Sequence, residues 1–80
     1  MKEIAADPHD EVEVQMKKIG AKIREIRKSQ EPNYMDWCVK NNMNKVSINR
    51  LERGGNVTLK LLITVMTKLG VSFQDLAKDI

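Results

Sequence analysis

Between Asn44 and Gly55 the chain reads NKVSINRLERGG, and most of its side chains are built for hydrogen bonding. Lys45, Arg50 and Arg53 offer charged donors, Asn44 and Asn49 both donors and acceptors, and Ser47 a hydroxyl. Val46, Ile48 and Leu51 recur among them at helical spacing. A helix in a small domain needs one apolar stripe against the core, and any solvated charges serve for the rest. This stretch instead crowds polar and cationic groups around its apolar ones, and its outer face reads as having a job.

Groups suited to making and breaking bonds are sparse. His9 is the one histidine and sits in an acidic stretch, and Cys38 is the one cysteine. No cluster has metal-ligand spacing, no glycine-rich loop could cradle a phosphate, and no nucleophile has a base beside it. The expectation is a binding protein with no catalytic residues, no cofactor and no metal.

At 80 residues the chain makes one small domain, and its 41% hydrophobic content suits a compact core of Leu, Ile, Val and Met. The net charge of +3 hides an asymmetry. Residues 1–15 set Lys2 against Glu3, Asp7, Asp10, Glu11 and Glu13, a net −4, which leaves 13 cationic and 6 anionic side chains, or +7, for residues 16–80. That bias favours a polyanionic partner, although charge alone does not specify one. One cysteine cannot form an internal disulfide, and the start MKEIAADPHDEVEV lacks the apolar run of a signal peptide. A cytoplasmic protein without a membrane partner is expected.

The elements that must position the recognition stretch follow from spacing. Residues 1–10 read as an acidic, flexible N-terminal arm, and residues 11–80 as the folded domain. Asp10 with Glu13 can open a first helix, from near Glu11 to Ser29, whose face is Val12, Met16, Ile19, Ile23 and Ile26. That spacing also allows a short coiled-coil seam. Pro32 interrupts it, and Asn33 can cap a second helix of two turns, with Met35, Trp37, Cys38 and Val39 as its apolar groups. Asn41 and Asn42 end that helix, Asn44 caps a third over Lys45 to Arg53, and Gly54-Gly55 terminates it. Thr58 can cap a fourth helix with Leu59, Leu62, Ile63, Met66 and Leu69 as its buried stripe, ended by Gly70. Ser72 with Asp75 caps a fifth, with Phe73, Leu76, Ala77 and Ile80 as its apolar groups. The fold class is all-α with five helices.

Two short helices joined by NNMN form a helix-turn-helix unit over about 33–54. IGAKIREIR at 19–27, WCVKNNMN at 37–44, VSINRLERG at 46–54 and LLITVMTKLGVSFQDL at 61–76 together resemble the lambda-repressor-like domains of the Cro/C1 (Xre) family. INRLERG followed by a helix ending in KLGVS is the specific part. The chain departs from the family at Trp37-Cys38, where Leu-Ala is usual, at Asn42 in place of the turn glycine, and at Tyr34 in place of glutamine.

The resemblance implies a sequence-specific regulator of transcription, a repressor on an inverted-repeat operator in double-stranded DNA. In that family the second helix of the motif enters the major groove. By position, Lys45, Val46, Asn49 and Arg50 would face bases, while Ile48 and Leu51 turn inward. Asn33, Tyr34, Lys40, Ser47, Arg53, Asn56 and Lys60 would contact the DNA backbone, Tyr34 through its phenol. Arg27 and Glu52 would form a structural ion pair between the first and third helices.

The family commonly dimerises through its C-terminal end, and Leu61, Val65, Val71 and Phe73 could form an exposed patch for a homodimer, or could equally be core. A homodimer would set two recognition helices about 34 Å apart. Trp37 reads as core filler rather than a stacking platform, and Cys38 as a buried small residue rather than a redox sensor. The alternative function is an antitoxin-like subunit or an adaptor that uses the same fold to grip a toxin or another protein.

Overall fold

A computed structural model describes residues 8–78 of the chain. Most of the expected acidic arm, residues 1–7, and Ile80 lie outside these residues. The described residues form five helices and no strand: α1 Pro8–Gln30, α2 Tyr34–Lys40, α3 Lys45–Glu52, α4 Leu59–Leu69 and α5 Phe73–Ala77. None of them is long and apolar enough to cross a membrane.

α1 begins three residues before the expected start, which puts Asp10 inside its first turn and not at its cap. Proline suits a first turn, because its fixed φ is already helical and its missing N–H has no partner there in any case. The later helices start where the sequence supplies an oxygen for unpaired N–H groups. The Asn33 side chain accepts from the Asp36 N–H, Asn44 from Val46 and Ser47, Thr58 from Leu61, and Ser72 with Asp75 completes a reciprocal capping box.

The turn between α2 and α3 depends on Asn42, the one non-glycine residue with positive φ among the described residues, at 55°. The Met43 N–H reaches back to the Cys38 carbonyl (2.9 Å) and the Asn42 N–H to that of Val39 (3.2 Å), which ties off the carbonyls at the end of α2. Asparagine tolerates this left-handed conformation better than other non-glycine residues.

All five helices surround one core of Ile23, Trp37, Cys38, Ile48, Leu51, Val65, Met66, Leu69 and Leu76. Trp37 and Cys38 are both inside it, so neither an exposed stacking platform nor an accessible thiol exists at these positions. On α2 the expected apolar group splits, because Met35 and Val39 point outward, with Val39 79% exposed.

The inward face of α4 also differs from expectation. Leu59 and Ile63 are exposed, and Val65 joins Met66 and Leu69 in the core with Leu61 and Leu62 half-buried against it. LKLLITVMTKL is apolar at so many positions that two phases satisfy helical spacing, and packing selects the one through 61, 62, 65, 66 and 69. The same choice favours the core alternative for three of the four residues that could have formed a dimer patch. Val65 is 1% exposed and Leu61 and Val71 pack against the core, which leaves Phe73 as the one exposed member of the four.

α1 and α3 approach closely at Gly20, which is buried. A Cβ built there would stand 2.3 Å from the Leu51 carbonyl oxygen and 2.8 Å from that of Glu52. Glycine in mid-helix costs roughly 0.5–1 kcal/mol relative to alanine, and here it is what allows α3 to sit on α1.

Candidate nucleic-acid interface

α3 divides as its sequence suggests. Ile48 and Leu51 are buried, at 0% and 3% exposure, while Lys45, Val46, Asn49 and Arg50 all stand exposed on the outer face. Val46 is 59% exposed, an apolar group in water between two turns of polar ones. The four residues expected to read bases therefore share one solvent-facing surface. Ser47 is half-buried beside them.

Between α3 and the start of α4 lies an open concavity of about 510 Å³ lined by Ser47, Arg50, Asn56, Val57, Thr58 and Leu61. It unites Arg50, expected to face bases, with Asn56 and Ser47, expected to face backbone. Gly55 bounds the same region, since a Cβ on it would lie 2.7 Å from the Arg50 Cγ. Absence of a side chain there leaves room for the stem of the arginine. Arg53 caps the end of α3 and is exposed, as are Asn56 and Lys60.

The seat of α3 is a buried ion pair. Arg27 donates from Nε to Glu52 Oε2 (3.0 Å) and from a terminal nitrogen to Glu52 Oε1 (2.9 Å), a parallel two-bond arrangement. Its other terminal nitrogen donates to the carbonyls of Glu31 and Pro32 (3.2 and 3.1 Å), and the guanidinium lies 5.4 Å from the centre of the Tyr34 ring. One side chain thus joins α1, the loop before α2, Tyr34 and α3. The hydrogen bond to Glu52 raises the Arg27 pKa against the opposing effect of burial, so its charge is secure.

Several groups expected at the DNA backbone are already engaged. The Tyr34 hydroxyl donates to the Lys45 carbonyl, which ties the start of α2 to the start of α3. Its phenol is pushed to higher pKa by burial first, and then by Cys38. The one proton this hydroxyl has to give is thus already engaged. Burial likewise pushes the Cys38 thiol up and keeps it protonated.

Lys40 is bound to Glu31, Nζ to Oε1, at 2.9 Å. The second oxygen of Glu31 accepts the Asn33 N–H at 3.2 Å, and the Asn33 side chain is occupied by the Asp36 N–H at 3.0 Å. Lys40 and the Asn33 N–H hold the Glu31 carboxyl below the usual range, and Glu31 in turn raises the Lys40 pKa. A carboxylate therefore already stands where Asn33 and Lys40 were expected to meet a phosphate. Glu31 escaped the sequence reading because its partner lies nine residues on, across a turn whose shape local spacing does not give.

Among the described residues no group of three His, Cys, Asp or Glu side chains could hold a metal ion. Compared with family models, curated proteins and solved structures, the chain has no match.

Proposed function

We propose that this protein is a sequence-specific double-stranded DNA-binding regulator, a repressor that occupies an inverted-repeat operator as a homodimer. The observation that carries the reading is the outer face of α3, where Lys45, Val46, Asn49 and Arg50 are exposed together while Ile48 and Leu51 anchor the helix from behind. Inserted in a major groove, the Arg50 fork matches the O6 and N7 of guanine, the Asn49 amide matches adenine, and Val46 meets a thymine methyl. Each good bidentate pair discriminates against the wrong base by ~1–3 kcal/mol. In this reading Ser47, Arg53, Asn56 and Lys60 would hold phosphates on either side, contacts that set register and carry no sequence information.

Binding should weaken with salt, because each phosphate neutralised by a cation releases counterions. The test is an anisotropy titration on duplex DNA across salt concentrations, for wild type and a Lys45→Ala/Arg50→Ala variant shown to be folded. Loss of affinity and a shallower salt slope in the variant support the reading. Equal binding by both proteins contradicts it.

The exposed apolar groups of α2 favour a second reading, a protein-binding adaptor or antitoxin-like subunit. Met35 and Val39, 47% and 79% exposed, border a groove of about 420 Å³ together with Met43 and Lys45. A partner retained by an Asn49→Ala/Arg50→Ala variant, which leaves this groove intact, but lost on Val39→Asp would support that reading.

A further inference from the structure

α1 is 23 residues long, and its apolar stripe outlasts the core it serves. Ile23 is fully buried, Ile19 and Met16 are half-buried, and Val12 on the same face is 52% exposed. Beside Met16, α4 presents Leu59, 66% exposed, and Ile63 follows one turn on in α4, 43% exposed. Met16, Ile19, Leu59 and Leu62 line an open groove of about 270 Å³ between the two helices. Leu59 and Ile63, expected in the buried stripe of α4, are thus left as exposed apolar surface.

The charges flanking this stripe change sign along the helix. Glu11 and Glu13 come first, Lys17 and Lys18 follow one to two turns later, and all four are exposed. Glu11 is held on the helix surface by a hydrogen bond from Gln15 at 2.8 Å. A polyanion would meet Glu11 and Glu13 unfavourably, and a second helix running parallel would set like charges side by side. An antiparallel copy of the same helix sets its acidic end against the basic end of the first.

We propose that two copies of this chain associate through the N-terminal half of α1, laid antiparallel so that Val12 of each copy packs against Met16 of the other beside Leu59 and Ile63. In one register Glu11 then faces Lys18 of the second copy on one flank, while Glu13 and Lys17 lie toward the other, where Lys17 also stands against Gly54 of its own chain. A two-fold axis makes each contact twice, as a self-complementary surface requires. The pattern of opposite charges also disfavours the parallel arrangement, since like charges across an interface are strongly repulsive. The groove shares Asn56, Val57 and Thr58 with the concavity beside α3, but self-association through α1 does not depend on what α3 binds.

Sedimentation equilibrium of the protein alone tests the proposal and leaves DNA binding out of the measurement. Wild type should show a concentration-dependent dimer that weakens as salt rises. Glu11→Lys/Glu13→Lys should weaken self-association at least ~10-fold, and so should Lys17→Glu/Lys18→Glu, with helical circular dichroism unchanged in both. An equimolar mixture of the two variants should recover the dimer, because every repulsive pair becomes attractive in the mixed species. Val12→Glu provides an apolar check and should also weaken it. A monomeric wild type, charge variants that self-associate like wild type, or a mixture that stays monomeric would each overturn the proposal.

Discussion

Arg27 is 3% exposed and makes four hydrogen bonds, so removing it strands Glu52 and two carbonyls at once. Arg27→Met should cost ~3–5 kcal/mol, read as a lower urea midpoint, because a buried charge that loses its partner keeps its desolvation penalty. DNA affinity would fall with it through loss of the seat of α3, at temperatures where the variant unfolds. Glu31 acts in the opposite sense. Its carboxylate holds Lys40 and caps Asn33, so Glu31→Gln should free a cation and remove a repulsive charge beside the expected phosphate path. The expected outcome is tighter duplex binding with a steeper salt dependence, measured by anisotropy, and unchanged affinity would show that Lys40 lies away from the DNA. Arg27 and Glu52 were legible through a family resemblance, since 25 residues separate them. Glu31 was not legible, because its effect comes from where a loop folds and not from the residues next to it.

Helix starts were legible where a capping residue announces them, as at Asn33, Asn44, Thr58 and Ser72. The face that each helix buries was legible only where one phase of apolar spacing exists. α3 has one such phase and was read correctly as to its inward Ile48 and Leu51, whereas α4 has two, and the contacts of Val65 decided between them. Close approach of backbones leaves a fainter trace. Gly20 sits in mid-helix, where glycine is a poor choice unless something needs the space, and the Leu51 carbonyl is that something. Gly20→Ala should raise helix propensity in α1 yet destabilise the protein by at least ~1–3 kcal/mol, because rigid backbone must move. Thermal melting of this variant beside Ala21→Gly, on the exposed side of α1, separates the two effects. Gly20→Ala more stable than wild type would mean that α1 and α3 are not in contact there.

At the scale of the whole molecule, charge links stability to pH and binding to salt. Glu31 is held below the usual carboxylate range by Lys40 and the Asn33 N–H, and Asp75 by the Ser72 N–H and hydroxyl. A carboxyl with a lowered folded-state pKa binds protons more readily when unfolded, so its stabilisation is present above the usual range near pH 4 and fades as pH falls further. The melting temperature should therefore decline on acidification through that range, and Asp75→Asn should flatten its share of the decline. The composition had shown a cationic domain behind an acidic start, and the structure assigns those charges unequal work: Arg27 to the interior, Lys40 to Glu31, and Lys45 and Arg50 to open surface. The central claim is that the last of these read bases. Selection from random duplex DNA, run in parallel on wild type and a folded Arg50→Ala variant, tests it most directly. The account predicts an enriched inverted repeat for wild type, with preference relaxed at one position per half-site in the variant; identical preferences, or no enrichment by wild type, would contradict it.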